Sequence, residues 1–323
     1  MSAKTQFFLA GATGYIGGTP TPLASNLPCL SATPKRRKNS TSFLASQPSW
    51  LASEADIVVG VADSDDLMAA EATLDGLKQR YATTGVPPIF IHTSGAALFI
   101  DDAKGTYAAS PIYDDSDADQ MAALPPNRMH RNVDLAILAG DAAGYTKTYL
   151  VIPAMVYGMA TGQFVDKGLQ NSHSTPVPML VKPSFYRRRA GMVGEGKNVW
   201  PNVEIHDLAE LYIALYDSIT SNPSTGHGVN GYYFGANGEH SFYDLTKAVG
   251  EALVVLGKSD DPEPTTYSQA ELDKYFGGSE IFGTNCHCIP THSLAIGWKP
   301  TKGTKDLLAS VKPEVEALIA KWK

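Results

Sequence analysis

Residues 7–18 read FFLAGATGYIGG: a short apolar run, then glycines at positions 11, 14 and 17, in G-x-x-G-x-x-G spacing. A strand that feeds such a turn and then a helix N-terminus surrounds an anion with backbone N–H groups, and the missing side chains let a pyrophosphate come close. The pattern therefore predicts a dinucleotide site built from Gly11, Thr13, Gly14, Tyr15, Ile16 and Gly17. Three glycines also suit a plain turn, so the pattern needs its context.

That context is an alternation of apolar runs and helical periods. The run 55–62 (ADIVVGVA) has strand length, and 67–81 carries apolar residues at Leu67, Ala70, Leu74 and Leu77, the spacing of one helix face. Pro87 and Pro88 stop that helix; Ile89–His92 reads as the next strand, 132–143 as a helix and Thr148–Ile152 as a strand ended by Pro153. Alternating strands and helices imply right-handed βαβ units and an α/β fold of Rossmann type, a doubly wound parallel sheet. Ligands of such sheets sit beyond the carboxyl ends of the strands, which puts the glycine loop, Ala62, Asp63, Thr93, Ser94, Pro153 and Tyr157 on one rim.

The chain has 323 residues, 43% of them hydrophobic, enough for one large or two modest domains. We expect a nucleotide-binding domain over 1–158 and a smaller C-terminal lobe over 159–323 with elements returning to the first. In that second half 171–178 reads as loop, and 207–219 and 241–256 as amphipathic helices, the latter capped by Ser241. The helix 305–321 is expected to break or restart at Pro313. Asp207 reads as a helix cap, and Arg187, Arg188 and Arg189 as either a solvated run or an anion contact for a substrate.

A net charge of −7 argues against nucleic acid as a partner. No apolar run approaches the roughly 20 residues that span a bilayer, and no charged-then-apolar leader precedes Phe7, so we expect no membrane partner and a cytoplasmic protein. Cys286 and Cys288 flank His287, yet no second ligand pair stands at zinc-finger spacing, and no metal is expected.

Taken in order, these segments resemble the extended or atypical short-chain dehydrogenases/reductases, in the NAD-dependent epimerase/dehydratase group. GATGYIGG matches the glycine motif, ADIVVGVA the fourth strand and FIHTSG the fifth. YLVIPAMVYG resembles the Arg-Pro-x-x-Val-Tyr-Gly signature with Ile152 at the arginine position; VGEGKNVWPNVEIHDLAELYIAL and HSLAIGWKPTKGTKDLLASV resemble the later segments. The resemblance implies NAD or NADP as cofactor, a small carbonyl, alcohol or sugar-like substrate near Tyr157, Arg189 and Asn198, and leaves a homodimer open.

Two departures qualify it. The family's Tyr-x-x-x-Lys proton relay is not present between Thr93 and Thr148; its helix reads His130-Arg-Asn-Val-Asp134. We therefore take Ser94 and His130 as the catalytic candidates, with Asp134 one turn on to orient the imidazole. Tyr107, Tyr113 and Tyr157 are other donors. Residues 19–50 are also aberrant: Pro20 and Pro22 fall where the phosphate-binding helix should run, and the segment is roughly 15–20 residues too short for the family pattern, with no clear period. It reads as an out-of-frame or mis-spliced stretch, or as a flexible insertion carrying the basic run Lys35–Lys38. Two function classes remain open: an NAD(P)-dependent oxidoreductase or epimerase, and a dinucleotide-binding regulator or pseudoenzyme.

Overall fold

A computed structural model describes residues 5–19, 29–30 and 49–322. The apolar runs assemble into one six-stranded sheet: β1 Phe7–Ala10, β2 Cys29–Leu30, β3 Ile57–Gly60, β4 Ile89–Thr93, β5 Lys147–Pro153 and β6 Tyr232–Gly235. Its order is β6-β5-β4-β3-β1-β2, and every neighbouring pair is parallel. Phe8 stands beside Val58, Val58 beside Phe90, and Leu150 beside Tyr232. Apart from Thr19, Cys29–Leu30 and residues 49–50, the aberrant stretch 19–50 lies outside the described residues.

The long helices among the described residues are α1 Leu67–Thr84, α2 Arg131–Ala142, α3 Pro176–Arg187, α4 Ile205–Ser221, α5 Phe242–Val255 and α6 Thr304–Lys321. Side chains alternate across each strand, so both sheet faces need cover. On one face Phe8, Val58, Phe90 and Leu150 meet Leu74 and Leu77 of α1 and Val133 and Ile137 of α2. On the other, Ile91, Tyr149, Val151 and Tyr233 meet Leu208, Leu211 and Leu215 of α4. Residues 159–323 therefore supply β6 and α4 to the sheet layers. A further core gathers Val177, Leu180, Leu245, Val249, Leu307 and Val311 of α3, α5 and α6 around Met155 and Tyr157. A three-stranded sheet adjoins it: the strand Met155–Tyr157 pairs parallel with Val199–Glu204, which pairs antiparallel with Glu239–Ser241.

Local chemistry explains most boundaries and corrects several expectations. Asp66 caps α1 by accepting the Ala69 N–H, and the helix ends at Gly85 (φ 70°), a turn beyond Tyr81. The loop expected over 171–178 gives way to α3 at Pro176: proline is favourable in a first turn, where its missing N–H has no intrahelical partner anyway. α6 runs unbroken through Pro313. Burial of Leu307, Val311, Val315, Leu318 and Ile319 on one stripe outweighs a proline cost of about 3 kcal/mol.

From β1 the chain passes to β2 on one side and then to β3 on the other, so the gap above β1 and β3 is the point where strand order reverses. Crevices open at such points.

Candidate functional site

The glycine loop fills that gap. Gly11 has φ +90°, and a Cβ there would lie 2.6 Å from the Val61 carbonyl oxygen at the end of β3. A Cβ on Gly17 would fall on the Gly11 carbonyl. These two glycines close the loop on itself and on the sheet, and only hydrogen fits. Gly14 differs: its open face meets nothing but the Gly11 oxygen at 3.1 Å, a cradle that a larger side chain would fill. The turn is held by Gly14 N–H on Gly11 O (2.9 Å) and Gly18 N–H on Gly14 O (3.2 Å).

Residues 158–171 clamp the same loop. Tyr15 OH donates to Gly158 O (2.6 Å), Gln170 Nε2 donates to Tyr15 O and Thr19 Oγ1, and the Asn171 N–H reaches Thr13 O. Burial first, then the Glu314 and Glu204 charges, pushes the Tyr15 phenol well above its ordinary pKa, so it stays neutral and acts as a strut. Ile16 packs into the α4-side core, while Thr13 is exposed at the loop tip.

Further along the rim, Ala62 and Asp63 stand exposed at the end of β3, beside a crevice lined also by Gly60, Asp66, Ala69 and His92. At the end of β4, Thr93 Oγ1 lies 2.5 Å from Tyr212 OH of α4. Ser94 Oγ donates to Asp134 Oδ2 (3.1 Å). Asp134 is fully buried; burial drives its carboxyl up to about 7 against the opposing Ser94 hydroxyl and Arg131 charge, and among the described residues its Oδ1 has no partner. Pro153 closes β5 opposite Gly235. His92, wholly buried, is pushed by burial and secondarily by His130 down to about 3 and is neutral.

His130 sits just before α2 with φ 66°, an uncommon backbone for a residue with a side chain. The expected pairing with Asp134 is not formed. Asp65 Oδ1 instead takes both His130 donors, the N–H at 3.2 Å and Nδ1 at 2.8 Å, with Ser64 Oγ 3.1 Å from Nδ1. The far side of the ring lies over Gly95, where a Cβ would be 2.9 Å from Nε2. Asp134 is held away because its place on α2 turns it inward to Ser94.

The remaining candidates carry structural contacts. Tyr157 is buried with its OH on Gly303 O (2.9 Å). Buried Asn198 donates through Nδ2 to Phe282 O and Thr284 O. Arg189 pairs with Asp261 (2.7 Å) and Glu263 O, Arg187 with Glu271 (2.6 Å) and over the Tyr267 ring, and Arg188 is exposed. None of the three arginines is brought to the Ser94 rim by these bonds. Tyr113 stacks on Phe99 (4.5 Å), and Tyr107 is exposed. Asp207 is not the cap of α4. Glu204 is, accepting the His206 and Asp207 N–H groups. Among the described residues no group of three His, Cys, Asp or Glu side chains is arranged to hold a metal ion.

Sequence reasoning missed Asp65 and Tyr212 at the rim. Asp65 lies in the run Asp63-Ser64-Asp65-Asp66 directly after β3, which marks an acidic rim but not a partner 65 residues away.

No protein-family model matches the chain. An oxidase, ucsJ, of Acremonium sp is 25% identical, covering 97% of this chain and 98% of its own. Among solved structures, the UDP-glucose 4-epimerase of Thermotoga maritima is 13% identical, with a TM-score of 0.63 over 99% of this chain and all of its own. The dTDP-glucose 4,6-dehydratase DesIV of Streptomyces venezuelae, solved with NAD, is 15% identical, with a TM-score of 0.61 over 98% of both chains. The human epimerase family protein SDR39U1, solved with NADPH, is 17% identical, with a TM-score of 0.57 over 97% of this chain and 99% of its own. The chain therefore shares the fold of these epimerases and of the dehydratase.

Proposed function

We propose that the chain is an NAD(P)-dependent oxidoreductase or epimerase/dehydratase-like enzyme acting on a small carbonyl, alcohol or sugar-like substrate. One observation carries the reading: a glycine loop at the strand-order reversal whose outer glycines are closed by the sheet while Gly14 is left open. Gly11–Gly17 with Thr13, Ala62 and Asp63, and Thr93, Ser94 and Pro153 are the residues that would hold a dinucleotide there. When bound, the nicotinamide supplies a two-electron hydride acceptor or donor. NAD and NADPH in neighbours of the same fold support the cofactor class, and the oxidase name of the Acremonium relative supports redox chemistry.

The chain's own part is to position. The Ser94 hydroxyl is aimed by Asp134, and the His130 imidazole is aimed by Asp65. The free thiols of Cys286 and Cys288, with sulfurs 3.7 Å apart, suit a reducing, cytoplasmic setting. A pseudoenzyme is the second reading, favoured by Asp134 standing where the resembled family carries its lysine. Fluorescence titration with NADH and NADPH, followed by turnover on a panel of carbonyls and alcohols, separates the two. Binding with turnover is the expected result; binding without it selects the pseudoenzyme, and no binding of either dinucleotide removes both.

A further inference from the structure

We propose that Asp65 and His130 form a dyad in which Asp65 holds the Nδ1–H tautomer and His130 Nε2 is the base that takes the substrate's hydroxyl proton. The proposal rests on the oxidoreductase reading above and names the group that replaces the absent Tyr-x-x-x-Lys relay.

Three independent features converge on it. A carboxylate has no hydrogen to give, so the 2.8 Å contact requires Nδ1 to carry a proton, and in the neutral imidazole Nε2 is then the acceptor. The backbone at His130 sits at φ 66°, and the same Asp65 oxygen also takes its N–H, so one carboxylate holds both backbone and ring. Such a strained non-glycine residue persists where the surroundings over-determine it. Third, Gly95 leaves the ring its space: any side chain there would collide with Nε2, and Gly95 directly follows Ser94. Among the described residues no hydrogen bond engages Nε2, and the His130 side chain is 11% exposed at the rim, beside Gly95. The groups facing the ring are Asp65, Ser64 and His92, the last held neutral by burial.

The step balances as an alcohol oxidation. The carbinol O–H proton goes to Nε2, the O–H electron pair becomes the second bond of the carbonyl, and the C–H hydride leaves with two electrons to an oxidised nicotinamide dinucleotide. The imidazolium that results is stabilised by the Asp65 carboxylate and returns its proton to water. His130 is the catalytic residue here, and Asp65 a positioning residue.

The imidazole nitrogens of His130, followed by 15N NMR in the free protein, read the dyad without any turnover. Wild type is expected to show a protonated Nδ1 and a bare Nε2. In Asp65→Asn, where an amide can also donate to Nδ1, that preference is expected to be lost. In parallel, Asp65→Asn should lower kcat for alcohol oxidation by about 100-fold with KM within about twofold, and Asp65→Glu should recover part of it. A wild-type Nε2–H tautomer overturns the dyad, as does an Asp65→Asn protein that keeps wild-type kcat. A wild type that binds dinucleotide yet oxidises nothing overturns the oxidoreductase reading together with the dyad. Gly95→Ala is a second probe: kcat should fall as the ring is displaced while NADH affinity stays, and unchanged kcat counts against a role for Nε2.

Discussion

Gly11 and Gly14 are separated by two residues and by entirely different constraints. Gly11 has a left-handed backbone and no room beside Val61 O at 2.6 Å, so Gly11→Ala should unsettle the loop and cost about 1–3 kcal/mol in urea unfolding. Gly14 faces only one oxygen at 3.1 Å, so Gly14→Val should leave the unfolding midpoint nearly unchanged and lower NADH affinity by about 100-fold or more. Wild-type affinity in folded Gly14→Val would take this loop out of the cofactor site. The spacing of the three glycines was legible in the sequence; which of them packs and which opens was not, because that depends on Val61, fifty residues away. His130 shows the same limit. Its candidacy followed from its place in the helix register, but its orienting partner proved to be Asp65 at the end of β3, not Asp134 in its own helix.

α4 shows what changes when an element is seen in place. Its amphipathic period was readable, but its cap was misassigned: Glu204 caps it, with burial opposing and hydrogen bonds from His206 and Lys302 prevailing to hold that carboxyl at about 2. Asp207 is freed to receive the C-terminal segment, accepting Thr301 N–H (2.9 Å), Lys302 N–H (2.8 Å) and Thr301 Oγ1 (3.2 Å). Asp207→Ala would remove the shared acceptor of two backbone N–H groups in a part-buried joint, so its expected cost is about 2 kcal/mol, above the roughly 1 kcal/mol of a lost cap. Urea unfolding checks it; a loss of 1 kcal/mol or less would mean that water replaces the carboxylate. Segment 301–302 lies some 95 residues from Asp207, and no helical pattern announces such a joint.

At the scale of the whole molecule, burial of ionisable groups under the rim sets opposed pH dependences. The folded Asp134 carboxyl keeps its proton up to about 7 where an ordinary aspartate releases it at 3.8. Over that window the folded state binds more protons than the unfolded one, so this group's contribution to stability falls as pH rises. His92 works the other way: the unfolded imidazole takes a proton below its ordinary 6.5, the folded one not until about 3, and stability is lost as pH falls through that range. Asp134→Asn removes only the first effect. Its Tm relative to wild type should therefore be several degrees higher at about pH 8 than at about pH 5; equal differences at both pH values would mean that Asp134 ionises normally. By itself, the sequence determined the alternation of apolar runs and helical periods, and with it the parallel sheet, the rim and the glycine loop, because hydrophobic period and glycine geometry are local properties of a few consecutive residues. Only the tertiary structure decided that α6 passes unbroken through Pro313, that Arg187 and Arg189 pair with Glu271 and Asp261, and that Asp65 meets His130 while Asp134 meets Ser94. Those outcomes rest on burial and on contacts between distant segments, whose energies outweigh local propensity and leave no periodic trace in the chain.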